Sequence, residues 1–519
     1  MKTLKNYIII FAVLIGTAGC DQDFIEINTD PFGITEINPA LLFAGAQRTP
    51  LGGWEGEHTI VQHFVNPFNQ GATLGFNFNE DIDNRSSGNW NSAYTNPGHV
   101  RLMVQALEIL GENTDRVNLK SMIRIWKAQV FIGLVDAYGN IPYSEAGKAV
   151  IDQIFYPVYD RDEAIYEDLY REITGALAAF NPTADFVRED LFYGVNSENP
   201  AANAAAQVEK WRKLGNSLLL RLGMRYSKVN PSRAQSIVAE AFSGGVMTSN
   251  NDNAYVKYDG SLFVQGENNN LRNFSYFFYA AEPFVDQLKS TNDPRAQFIL
   301  ANFKDPAAVV NDQDPDTELA NQFGVPIGVI SNDLADANGP YRGSRLGGLN
   351  YSQMNIWAIA SPAAPDFWVT YAQTSLLLAE AAHRGWISGG DARTYYENAI
   401  RADMQVYALY PATRPITEEE INEYLNEPGV VFNASRALEL INTQYWVVNL
   451  RNGGEAWANF RRSGFPALQP NLFNNNLNGG FVRRMSYPDR EASANAQSFA
   501  AAIAIRPNDL ISRVFWDIE

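Results

Sequence analysis

The chain carries one cysteine in 519 residues, Cys20, and only four histidines. A lone thiol excludes an internal disulfide and cannot by itself build a structural metal site. There is no G-x-x-x-x-G-K-S/T phosphate loop, no G-x-S-x-G nucleophile elbow and no H-E-x-x-H zinc helix, so no motif assigns an enzyme class or a cofactor. Basic residues are also scarce: 40 Lys and Arg stand against 58 Asp and Glu, a net charge of −18. Such a surface repels phosphate backbones, which argues against a nucleic-acid partner. Past Cys20 no run of about 18 apolar residues follows, so no permanent membrane span is expected.

What is present begins around that cysteine. Lys2 and Lys5 precede the apolar run Tyr7 to Ile15, and Gly16, Thr17, Ala18 and Gly19 lead directly into Cys20. A basic head, a short apolar run and small residues at a cleavage point make a secretory signal. With the cysteine placed there, the segment resembles a bacterial lipoprotein signal peptide, in which the thiol is acylated; Thr17 stands where Leu is usual. Residues 1–19 are thus expected to be removed and Cys20 to hold the lipid, since several acyl chains anchor a protein stably. Residues 20–38 form an acidic tether. Acid directly behind a lipidated cysteine resembles the surface-export signal of Bacteroidetes lipoproteins, which implies the outer face of the outer membrane.

Hydrophobic residues make up 46% of the chain, enough for a substantial core. Apolar residues recur at helical spacing in three long segments: Leu119, Met122, Trp126, Val130 and Leu134; Ile165, Leu169, Ile173 and Leu177; and Trp211, Leu214, Leu218 and Leu222. Asn230 and Pro231 suit a helix start, Gly244 and Gly245 its end, and Asp391 caps a later helix. Small residues Ala379, Ala381 and Ala399 suit close helix approach. The fold class expected is mostly α, with tetratricopeptide-like helix pairs stacked as a scaffold. Residues 39–519 read as one domain, with loop-rich insertions at about 246–361 and 452–490.

The loops carry the residues suited to ligand chemistry. Trp54, Phe68, Phe76 and Phe78 alternate with Asn, Gln and Gly, and Tyr341 and Arg342 follow Gly339 and Pro340. Flat aromatic faces stack on sugar rings or peptide side chains, and amides orient hydroxyls. These five aromatics are the candidate binding residues. Trp90 and Tyr94 are assigned to packing. His58 and His63 lie five apart, off a single helical face, and read as surface or partly buried imidazoles. Asp312, Asp314 and Asp316 alternate as calcium ligands do, but Thr317 and Phe323 stand where an EF-type loop needs Gly and Glu, so a solvated acidic loop is expected. No metal site is assigned.

Several segments in order resemble the SusD/RagB family of nutrient-binding outer-membrane lipoproteins: DAYGNIPYSEA at 136–146, WRKLGNSLLLRLGMRY at 211–226, NDPR at 292–295, YAQTSLLLAEAAHRGW at 371–386 and QYWVVNLRNGGEAWANFRRSGFP at 444–466. The resemblance implies a helical scaffold of four repeat-like pairs. It also implies a loop-borne site for an oligosaccharide or, in some members, peptides, with a SusC-like TonB-dependent transporter as partner and no catalysis. A peptide cargo, a surface glycoside hydrolase and a protein-binding adaptor are the other readings of the residues. Arg461 and Arg462 are expected to form a structural charge pair at a helix end.

Overall fold

A computed structural model of the chain describes residues 37–48, 56–68, 86–95, 98–112, 114–471 and 477–519. Cys20, Trp54, Phe76 and Phe78 lie outside them. Four helix pairs make the frame: α1 (Pro39–Gln47) with α2 (His99–Leu110), α3 (Val117–Tyr138) with α4 (Asp162–Ala179), α5 (Ala204–Arg225) with α6 (Pro231–Gly244), and α7 (Tyr371–His383) with α8 (Ala392–Val406). Neighbouring pairs touch in chain order, so the pairs stack as expected of helical repeats. Two further helices close the stack: α9 (Ala437–Val448) packs on α7, and α10 (Gly453–Ser463) packs on α9 and reaches back to α3.

Local chemistry explains the boundaries. The Asn230 side chain accepts from Arg233 N at 3.1 Å with Pro231 at the first helical position, and Gly245 ends α6 at φ +87°. Asp391 accepts from Thr394 N at 3.1 Å to open α8, and Thr370 and Gln373 form a reciprocal capping box on α7. The apolar stripe of α5 is wholly buried, and Ala379, Ala381 and Ala399 are buried where α7 meets α8. Helix α3 is buried nearly all round, which places it at the centre of the core. Val130 of its expected stripe is only half-buried. Trp90 packs edge-on against Tyr138 at 5.2 Å and Tyr487 at 5.7 Å, as a core residue should.

Between α6 and α7 the chain forms short helices and strands of two to four residues. Among the described residues the sheets are five two-stranded antiparallel ladders. This region has a small core of its own, built from Val65, Tyr279, Ala281, Val325, Leu334, Leu349 and Tyr351.

Two expectations need correction. The stretch 452–490, expected to be a loop-rich insertion, contains α10, which is almost entirely buried. Its arginines disguised it: Arg461 and Arg462 are each 2% exposed. Arg462 pairs with Glu380 of α7 at 2.7 Å, whereas Arg461 donates to the carbonyls of Asp136 and Arg483. His58 and His63 are likewise buried, with Nδ1 atoms 3.1 Å apart. His63 Nε2 faces the Trp446 carbonyl at 3.1 Å, which can only accept. The proton is therefore assigned to His63 Nε2, and His58 Nδ1–H donates to His63 Nδ1. Burial lowers the pKa of both, to about 3 for His63.

Burial alone would raise the Glu380 pKa, but Arg462 and Arg384 outweigh it and hold the carboxyl at about 2, against an ordinary 4.5. Its folded pKa is depressed, so its stabilisation is complete above pH 4.5 and is lost as pH falls toward 2. Glu380→Ala strands the Arg462 charge and should cost about 3–5 kcal/mol at pH 7. Urea unfolding of both proteins checks this: the gap between them should shrink as pH falls from 4.5 toward 2.

Candidate functional site

Two of the five expected aromatics, Phe68 and Tyr341, each pack against the small core of the loop region. Phe68 follows the strand Phe64–Val65, which pairs with Tyr279–Ala280. Asn66 turns the chain there by accepting from Phe68 N at 3.0 Å, and Pro67 O accepts from Ser331 N at 2.8 Å, tying this turn to the segment before Tyr341. The Phe68 ring lies edge-on to Phe277 at 6.0 Å and tilted to Tyr279 at 6.2 Å. Tyr341 packs against the same core. Both are half-buried, so each ring is partly fixed by packing and partly available.

Arg342 gives this face its polar edge. Its guanidinium lies 3.4 Å from the Phe323 ring centroid, and its Nε donates to Asn350 O at 3.1 Å. Asn350 Nδ2 returns a bond to Arg342 O at 2.8 Å. Lys289 approaches the same Phe323 ring at 4.3 Å while donating to Gln322 O at 2.8 Å. A cation over an aromatic face is attracted by the ring quadrupole. Arg342 is thereby held, although the residue is exposed. Sequence reasoning missed Phe323, Phe277 and Lys289. Phe323 drew notice only as the wrong residue for a calcium loop, and nothing in the sequence pairs it with a lysine 34 positions earlier.

The chemistry available here is recognition. Half-exposed rings stack on apolar ring faces, while Arg342 and the nearby amides donate to hydroxyl or carbonyl oxygens. The buried charges belong to the frame instead. Arg225 joins Asp136 at 3.2 Å and Glu455 at 2.7 Å. Burial alone would raise the Glu455 pKa, but Arg221 and Arg225 hold it below the ordinary carboxylate value. Asp312 accepts from Lys304 N at 2.8 Å and Asp316 from Glu318 N at 2.9 Å, so both acids close turns. Among the described residues no group of three or more His, Cys, Asp and Glu is placed to hold a metal ion, and no helix is long and apolar enough to cross a membrane.

A stack of helix pairs with a loop-rich region between the third and fourth pairs defines a helical-repeat fold. The model of a SusD-like family, described as starch-binding and associating with the outer membrane, matches residues 31–488, and the chain belongs to that family. Among solved structures, a chitin-binding protein is similar at 25% identity over 93% of this chain and 100% of its own, with a TM-score of 0.77. A Bacteroidetes SusD-like protein is 24% identical over 93% of this chain and 100% of its own, with a TM-score of 0.78. A chitin-binding SusD homologue from Flavobacterium johnsoniae is 20% identical over 92% and 98%, with a TM-score of 0.72. No curated protein matches the chain.

If Arg342 is a held but solvent-facing edge, Arg342→Ala should lower stability by only about 0.5–1 kcal/mol, the worth of an exposed cation–π contact. Urea denaturation measures it. A loss of several kcal/mol would make Arg342 part of the frame.

Proposed function

We propose that this chain captures an oligosaccharide on the cell surface and passes it to a SusC-like TonB-dependent transporter in the outer membrane. The observation that supports the reading is that Phe68, Phe323 and Tyr341 pack, partly buried, against one small loop-region core with Arg342 over the Phe323 ring, in a chain of a family described as starch-binding. Stacking supplies affinity, and Arg342 and the amides supply orientation. Signal residues 1–19 are removed, Cys20 carries the lipid, 20–38 is the tether, and 39–519 is the binding domain. Trp54, Phe76 and Phe78 belong to the same ligand site in this reading. The protein binds its ligand and releases it unchanged.

Chitin-binding relatives make chito-oligosaccharides the first ligands to test, with malto-oligosaccharides beside them. The chain from residue 21 onward is titrated with both series by calorimetry, and the sugars are analysed afterwards. Saturable heat with the sugar recovered intact is expected. Tyr341→Ala should weaken binding about tenfold, the equivalent of ~1.4 kcal/mol. Shortened sugars would mean a hydrolase, and no heat from either series would sink the glycan reading.

A further inference from the structure

A pocket of about 110 Å³ lies between α3, α10 and the short helix Gly88–Tyr94, among residues that the aromatic face does not use. Its lining includes two glycines whose presence packing does not explain. Gly133 is exposed in the interior of the 22-residue α3, where glycine is destabilising relative to alanine. A Cβ built there meets nothing within 4 Å among the described residues, and the same holds for Gly454. Other glycines of α5 and α10 have a packing reason. A Cβ at Gly215 would come within 2.8 Å of Leu177, at Gly223 within 2.9 Å of Ile237, and at Gly453 within 2.9 Å of His58. Gly133 and Gln129 stand one helical turn apart and both line the pocket, so they share one face of α3. An absent side chain at Gly133 therefore leaves the pocket open.

Its wall holds polar atoms without partners. Trp368 is 7% exposed and lines the pocket, and its Nε1–H has no acceptor among the described residues. Arg221 Nε also makes no hydrogen bond, although it lies 3.5 Å from Glu455 Oε2. His99 Nδ1 is a third unpaired atom. Burial lowers the His99 pKa to about 4, so the ring is neutral at pH 7. A buried donor left unpaired is unfavourable, and a ligand oxygen would relieve it. Arg221 and Arg225 are matched in number by Asp136 and Glu455, so an anion finds no surplus of positive charge. The Glu57 carboxyl, also in the lining, accepts from Asn89 Nδ2 at 2.5 Å and has acceptor capacity to spare. The volume is below that of a drug-sized site and suits only a few heavy atoms.

We propose that this pocket is a second binding site, separate from the aromatic face, for a small neutral amide. The amide oxygen accepts from Trp368 Nε1–H, and the amide N–H faces the Glu57 carboxyl. A free small amide and the acetamido group of an N-acetylated sugar offer this same chemistry.

The chain from residue 21 onward is dialysed against labelled acetamide, with N-acetylglucosamine and glucose as competitors. One saturable site is expected, weakened about tenfold by Trp368→Phe and lost in Gly133→Leu. Gly133→Leu should keep or raise the melting temperature, because leucine favours the helix, so loss of uptake there does not report misfolding. Displacement by N-acetylglucosamine but not glucose identifies a pendant acetamido group as the source; displacement by neither identifies a free amide. No saturable uptake, or uptake that survives Gly133→Leu, overturns the proposal.

Discussion

One guanidinium holds the frame together. Arg225, fully buried at the end of α5, bridges Asp136 of α3 and Glu455 of α10. The two acids are themselves shared: Asp136 accepts from Tyr166 of α4 and from Trp516 near the C-terminus, and Glu455 accepts from Tyr445 of α9. Five helices and the C-terminal segment thus meet around one charge. A buried ion pair adds little net stability over an apolar contact, but removing one partner is severe. Its contribution here is positional: one guanidinium draws Asp136 of α3 and Glu455 of α10 onto the end of α5.

The same device fastens the loop region to the frame. Arg295 pairs with Asp293 at 2.6 Å and with Asp403 of α8 at 2.6 Å, and it donates to Tyr424 and to Gln444 of α9. The NDPR segment is therefore an attachment point between loops and scaffold. Asp366 plays a similar part, accepting from Gln265, Tyr258 and Arg451. The aromatic face at Phe68, Phe323 and Tyr341 then rests on short ladders that are pinned at several places. A face fixed in this way presents its rings with little ordering left to do on binding, which favours affinity.

Much of the frame is legible in the sequence because helices announce themselves by period and cap. The stripes of α4 and α5 and the caps at Asn230 and Asp391 all follow from local chemistry. Helix α10 does not, since GGEAWANFRRS opens on two glycines and buries charges that normally mark a surface. Their partners lie far off in sequence: Glu380 is 82 residues from Arg462, and Glu455 is 230 from Arg225. The histidine pair was hidden for a similar reason. Helix Glu57–Ile60 is only four residues long, and the chain reverses at Gln62, with φ +59°, so helical spacing says nothing about His58 and His63. Of the site, Phe68 and Tyr341 were visible as loop aromatics beside polar residues, whereas Phe323 joined them only through tertiary contacts with Lys289 and Arg342.

We propose that the helical frame carries a sugar on the loop-region residues Phe68, Tyr341 and Arg342. Hydrogen exchange with and without a saturating chito-oligosaccharide tests it most directly. Protection should rise across residues 323–351 and around Phe68, while α3, α5 and α7 exchange as before. Protection confined to those helices, with the 323–351 segment unchanged, would contradict the account.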